Sequence, residues 1–206
     1  MVDKNGNLVI ISAPSGTGKT TIVRQLMLDN DNIKASISYT TRSIRPNETN
    51  GLDYVFVTEK TFESMLIQDM FIEYANVFGH YYGTPKKETS EALNQGYTVI
   101  LEIDWQGAEQ IRLKQMGSFS VFLLPPSKEE LKKRLTTRAM DSPEQIKLRF
   151  QQALKDIEQC GYFDRVIINY DIESTCEEII SLVNSPRTAE AAVSEDALVI
   201  IRSFTE

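Results

Sequence analysis

A chain of 206 residues with 41% hydrophobic and 25% charged residues has ordinary globular usage, enough for one α/β domain with a substantial core and room for an inserted lobe. The balance of 22 basic against 29 acidic residues, a formal charge of −7, argues against a nucleic-acid polymer or an anionic membrane as partner. Any anionic ligand must therefore be gripped by local arginine clusters. No apolar run approaches the ~18 residues that span a bilayer, and Met1-Val-Asp-Lys-Asn-Gly lacks the apolar stretch of a signal peptide, so a cytoplasmic location is expected. Cys160 and Cys176 have no metal-ligand spacing and read as structural thiols. With His80 as the single histidine, a histidine-dependent triad or histidine-rich metal site has little to work with.

The chain opens on an apolar run, Leu8 to Ser12, that reads as a buried strand and ends in Ala13, Pro14, Ser15, Gly16, Thr17, Gly18, Lys19, Thr20 and Thr21. A helical pattern begins near Lys19, which supplies the strand, loop and helix that a phosphate-binding P-loop needs. Backbone N–H groups of such a loop cradle a polyphosphate, Lys19 reaches the β- and γ-phosphates, and Thr20 offers its hydroxyl to Mg²⁺. The competing reading is an ordinary glycine-rich turn. Ala13 replaces the usual first glycine, which is tolerable where φ stays negative; Gly16 and Gly18 keep the demanding positions.

After a helix over 20–28, Asp29 to Asn32 is a loop and Ala35 to Tyr39 an alternating strand. Ser43 to Gly51 is another loop. Tyr54 to Val57 and Met70 to Ala75 read as strands flanking a helix that Thr58 caps. Next come a helix from Pro85 to Asn94, a buried strand from Tyr97 to Ile103 and a helix over 105–115. Ser120 to Leu124 is a strand broken by Pro125-Pro126. Ser127-Lys-Glu-Glu130 and Ser142-Pro-Glu-Gln145 are capping-box starts of two helices that meet at Met140-Asp141. Val166 to Asn169 is the last core strand and Glu173 to Val183 the last clear helix. The tail's apolar run, Ala197 to Ile201, leaves a docked strand or an extra helix open. Strands alternating with helices at this spacing imply a mostly parallel, three-layer α/β sheet with ligands at the C-terminal strand ends.

Phosphoryl transfer needs cations around a group whose charge is spread over equatorial oxygens. Arg42 and Arg45 fall at the end of a short strand, where paired guanidinium forks can grip a phosphate. Arg134 and Arg138 share a helix face and Arg149 lies inside the next helix, so the three can fold over a triphosphate as a lid. Each taken alone is an ordinary surface charge. A nucleoside monophosphate as acceptor carries a phosphate with a second pKa of ~6, already largely anionic at neutral pH, and so requires no general base.

At this point the residues resemble the guanylate kinase family. The likeness runs from about Leu8 to Val183 and rests on five stretches besides the P-loop. They are Ser38-Tyr-Thr-Thr-Arg42-Ser-Ile-Arg45-Pro, Asn50-Gly-Leu-Asp-Tyr54-Val-Phe, Phe71-Ile-Glu73-Tyr, Tyr81-Tyr82-Gly83-Thr84-Pro and Glu102-Ile-Asp104-Trp-Gln-Gly107. The resemblance implies the P-loop nucleoside monophosphate kinase fold, with ATP·Mg²⁺ and GMP or dGMP as substrates. It divides the chain into a core (1–35, 95–125 and 160–184), a GMP-binding lobe (36–94), a lid (126–159) and a tail (185–206). By it, Arg42, Arg45, Tyr54 and Tyr82 hold the GMP phosphate with Ser38 nearby. Glu73 reads guanine N1–H and the exocyclic amine, Thr84 donates to O6, and Asp104 stands on the guanine side. Glu102 occupies a position where the family often has Asp, close to the magnesium waters. Arg134, Arg138 and Arg149, with Lys19 and Arg42, serve catalysis, and Asn169 contacts the adenine of ATP. Tyr54 and Tyr82 as half-buried core aromatics, and Glu102 or Asp104 as helix caps, are the structural alternatives.

Two rival functions remain. The same fold serves as a peptide-binding scaffold in junctional proteins, which typically lose the loop lysine and lid arginines that are present here. A kinase for another monophosphate or a phosphorylated sugar is the other, against which Glu73 and Thr84 argue for guanine. Oligomeric state, a homo-oligomer included, is not written in the sequence.

Overall fold

The computed structural model describes residues 6–137, 142–184 and 192–205. Its centre is a five-stranded parallel sheet of β1 (Leu8–Ser12), β2 (Ile33–Ala35), β7 (Thr98–Glu102), β8 (Phe119–Leu124) and β9 (Arg165–Ile168), in the order β2-β7-β1-β8-β9. Because side chains alternate across a strand, β1 feeds both faces. Leu8 and Ile10 join one apolar cluster, and Val9 and Ile11 the other. The first face is covered by α4 (Trp105–Leu113), α5 (Lys128–Thr137), α6 (Pro143–Glu158) and α8 (Glu195–Thr205), through Ala108, Ile111, Leu131, Leu135, Ala153, Ile157, Ala197 and Phe204. The second is covered by α1 (Lys19–Asp29) and α7 (Ile172–Asn184), through Ile22, Val23, Leu26, Cys176 and Ile179. Three layers result, with strand C-termini at one rim.

A second sheet holds β3 (Tyr39–Thr40), β4 (Val55–Phe56), β5 (Phe71–Val77) and β6 (His80–Pro85) in the order β4-β3-β6-β5, packed on α2 (Glu59–Ile67) through Phe62, Met65 and Phe71. Thr58 caps α2 as its position suggests, accepting from Thr61 N–H at 3.2 Å. The stretch Ala35 to Tyr39, expected as one strand, belongs to two sheets. Ser36 N–H makes the last bond to the core, to Ile100 O, whereas Ser38 O already accepts from Val55 in the other sheet. Local alternation cannot reveal such a change of partner.

β6 went unassigned in the sequence. It returns from β5 through Phe78-Gly79, both at positive φ (52° and 81°), the two-residue hairpin geometry whose twist matches the strands it joins. Residues 86–94, grouped with the inserted lobe, form α3 (Lys86–Asn94), whose Ala92 and Leu93 pack against the core cluster. The capping box at Ser142 forms in full with Gln145. At Ser127 only the backbone half forms, since Glu130 turns its carboxylate to Arg134. The junction at Met140-Asp141 lies outside the described residues.

Of the two readings of the tail's apolar run, the helix is the one that forms. Val166 N–H on the edge strand β9 donates to Ala192 O, and the chain then enters α8, which seals the first face with Ala197 and Phe204 at 0% and 4% exposure. Phe204→Ala is expected to cost about 3 kcal/mol in a urea titration, as a large side chain is lost from a packed cluster. A loss below about 1 kcal/mol shows that α8 does not hold the core. Cys160 and Cys176 are buried and unbridged, and burial pushes both thiols up to about 11, which keeps them protonated and inert.

Candidate active site

The P-loop follows β1 at the C-terminal rim of the core sheet. Gly16 and Gly18 have φ of 93° and 100°, a region that side-chained residues resist. A Cβ on Gly16 would also press on Leu135 at 3.0 Å, and one on Gly18 would meet Asn169 Nδ2 at 3.1 Å. Positive φ away from glycine occurs, among the described residues, at Asp69, Phe78 and Gln115, so Ala13 bears no such strain. The first turn of α1 carries no acidic residue, and Gly18 gives it no side-chain cap, which leaves its N–H groups and positive dipole end for an anion.

Lys19 Nζ donates to Ile103 O at 3.0 Å, which holds the lysine across the mouth of the loop. Thr20 Oγ1 donates to Glu102 Oε1 at 2.5 Å, so the first turn of α1 and the end of β7 bring two hard oxygen donors together. That donor chemistry fits Mg²⁺, which takes few protein ligands and completes its shell with waters and substrate phosphates. Among the described residues no group of three or more His, Cys, Asp or Glu forms a metal cage.

Arg134 ties α5 to the loop: Nη1 donates to Thr17 O at 3.0 Å and Nε to Glu130 at 2.9 Å. Asn169, at 4% exposure, donates from Nδ2 to the same Thr17 carbonyl at 2.7 Å, while its Oδ1 accepts from Thr175 at 3.1 Å. Both ends of its amide are engaged inside the protein. Asn169 is thus a strut fixing the P-loop to the end of β9. Arg149 stands half-buried on α6. Arg138 lies outside the described residues.

The second cluster faces the loop from the smaller sheet. Arg42 gives Glu48 a two-pronged ion pair, Nη2 to Oε1 at 2.8 Å and Nη1 to Oε2 at 3.0 Å, and lies 5.4 Å over the Tyr54 ring. Arg45 donates its backbone N–H to Glu48 at 2.9 Å, and its guanidinium stands 3.7 Å away. Burial works to raise the Glu48 pKa, but the bonds from Arg42 and Arg45 more than offset it and hold the carboxyl below its usual range. Glu48 escaped the sequence reading, although its place three residues after Arg45 in a tight loop was the available signal. Tyr54 and Tyr82 meet edge-on at 5.8 Å, and Ser38 is buried just before β3. Burial, then the charge of Glu102, pushes the Tyr54 phenol far up, which places this cluster within electrostatic reach of Glu102. Arg24 on α1 binds Asp53, one residue before Tyr54, across the same gap.

Glu73 is 3% exposed, and Thr84 donates its hydroxyl to Glu73 Oε1 at 2.5 Å. The two are register partners across β5 and β6, and a bulge between Phe71 and Glu73 turns the carboxylate inward, so that Phe71, Ile72 and Glu73 are all buried in succession. Burial pushes the Glu73 carboxyl up to about 7; Asp104 adds to the rise and the Thr84 bond opposes it. Asp104 itself caps α4, accepting from Gly107 N–H and from Gln106 Nε2, both at 3.0 Å. The helix-cap alternative therefore holds for Asp104, while its charge still reaches Glu73. Gln110 on α4 clamps the backbone of Tyr74 at both N–H and C=O, which fixes β5 against the core. Asp156 on α6, which the sequence reading also missed, is pushed up to about 6 by burial and by Asp104, with Gln152 and Lys19 opposing.

A parallel core sheet, a P-loop at its C-terminal rim and a second anion-gripping cluster opposite define a P-loop nucleotide kinase. The Guanylate kinase family model matches residues 5–186. The guanylate kinase of Blochmanniella floridana is 49% identical over 169 residues, 81% of this chain and 80% of that protein. That of Haemophilus influenzae is 43% identical over 199 residues, 95% of this chain and 96% of its own length. The crystal structure of guanylate kinase from Anaplasma phagocytophilum superposes with a TM-score of 0.75 at 32% identity, covering 92% of this chain and 90% of that one. The chain belongs to the guanylate kinase family.

Proposed function

We propose that this chain transfers the γ-phosphoryl group of ATP, carried with Mg²⁺, to GMP and dGMP, giving ADP and the diphosphate. The observation that carries the reading is the buried Glu73 carboxylate, paired with Thr84 and facing α4 beside the P-loop. A carboxylate accepts from N1–H and the exocyclic amine of guanine together, donors that adenine does not offer in that pattern, and a site built to hydrogen-bond rejects a base that leaves it unpaired.

In this reading, residues 13–21 bind the triphosphate, Lys19 leaves Ile103 O for the phosphates, and Arg42 and Arg45 with Tyr54, Tyr82 and Ser38 fix the acceptor phosphate. Thr20 and Glu102 would hold the magnesium ion, which spreads the negative charge of the phosphates. The GMP lobe comprises residues 36–94 and the lid 126–159, which carries Arg134, Arg138 and Arg149 in to exclude water. Because the acceptor phosphate is already anionic, positioning and charge suffice. Among the described residues no helix is long and apolar enough to cross a membrane, and both substrates belong to the cytosol, where the reading places the protein.

ADP release from ATP·Mg²⁺, coupled to NADH oxidation, tests this with GMP, dGMP, AMP, CMP and UMP as acceptors. Turnover confined to GMP and dGMP is expected. Equal turnover with AMP overturns the guanine reading, and silence with every acceptor from a folded protein moves the weight to a peptide-binding scaffold.

A further inference from the structure

Gly107 lies in the first turn of α4, in a helix where alanine is favoured over glycine. A Cβ built there would lie 2.2 Å from Glu73 Oε2 and 2.9 Å from its Cδ, with Ile103 Cδ1 at 3.3 Å. Contacts below 3.0 Å are essentially absent from real proteins, so something would have to move.

A carboxylate at the end of a flexible side chain ordinarily swings aside, but this one is confined. It is 3% exposed, and its other oxygen is held by Thr84. The strand behind it is fixed too, by Lys114 on the Ile72 carbonyl and by Gln110 on Tyr74. The helix is equally fixed, because the Gly107 N–H is the one that Asp104 caps. Strand and helix are thus locked on both sides of a gap that only a hydrogen atom fits.

We infer that Gly107 is a specificity-determining residue of the acceptor site, whose missing side chain sets the depth of the Glu73 carboxylate. The inference deepens the reading of Glu73 as the guanine reader and rests on it. A methyl group at 107 displaces the carboxylate by about 1 Å, and a misplacement of that size costs on the order of 10²-fold in an oriented site. The P-loop is untouched, so the KM for ATP stays as it was.

Gly107→Ala, made in the native background and beside Glu73→Asp, whose carboxylate is withdrawn by one methylene, tests this. In the native background kcat/KM for GMP is expected to fall ~10²-fold with KM for ATP unchanged and GMP-over-AMP selectivity reduced. Beside Glu73→Asp the same change should cost less than about 3-fold, because neighbouring sites that share one clash are not additive. Equal losses in both backgrounds, or none in the native one, overturn the inference. If Gly107→Ala does not fold, thermal melting of the pair gives the answer: recovery in the double variant supports the clash, and no recovery overturns it. Glu73→Gln separates the two layers. Unchanged GMP selectivity in that variant sinks the site reading and the inference with it, whereas a large Glu73→Gln effect with additive Gly107→Ala sinks the inference alone.

Discussion

Glu73→Gln is expected to lower kcat/KM for GMP by ~10³ while leaving KM for ATP within about 2-fold, because one of two acceptors becomes a donor facing a donor in a buried site. The same variant is expected to be more stable than the native protein at alkaline pH. With its carboxyl raised from 4.5 to about 7, the folded state favours the protonated form. The contribution of Glu73 to stability is therefore greatest below pH ~4.5 and is lost as pH rises toward ~7, where the buried group ionises. A glutamine carries no charge to bury, so its melting temperature should exceed the native one at pH 8 and approach it at pH 4.5. Guanine's donors favour the ionised carboxylate, so native GMP affinity should weaken as pH drops below about 7. Glu73→Gln should lack that limb, which separates it from titration of the GMP phosphate itself near ~6. A native GMP affinity flat from pH 8 to 6 with an unchanged variant profile would falsify the assignment of Glu73.

Lys19→Ala is expected to lower kcat by about 10³ with melting temperature nearly unchanged. Its Nζ serves the fold through one bond to the Ile103 carbonyl and its charge near Asp156, whereas charge aimed at a transferring phosphoryl group in a water-poor site is worth several orders of magnitude. Rapid-quench measurement of the transfer step under saturating ATP and GMP checks it. A kcat within 10-fold of native removes Lys19 from the transition state. A large drop in melting temperature would instead make the Ile103 contact structural.

Both expectations start from residues visible in the sequence, but they differ in what made them visible. Lys19 is fixed by a contiguous loop of glycines between an apolar run and a helix, so the P-loop could be read from spacing alone. Glu73 gained its role through resemblance, and the reason it is buried is the bulge after Phe71 together with its pairing to Thr84, eleven residues away. Neither is encoded in the immediate neighbours of Glu73. Glu48 and Asp156 were missed for the same cause: each acquires meaning from partners that folding delivers, Arg42 to the first and the Asp104 and Lys19 charges to the second. Asp104 and Asn169 show the converse. Both were singled out as ligand contacts, and folding gives each a structural bond as well, Asp104 as the cap of α4 and Asn169 as a tie to the Thr17 carbonyl.

By itself the sequence determined the phosphate loop, the parallel α/β core, most helix starts and two of the inserted strands, β4 and β5. These follow from glycine geometry, hydrophobic period and capping, which act within a few residues. Only the tertiary structure decided where the chain leaves one sheet for the other at Ser36 to Ser38, how α8 closes the core face, and how close α4 comes to Glu73. Those depend on strand partners and packing distances between segments far apart in the chain, and no local pattern carries a distance between segments that meet only when the chain folds.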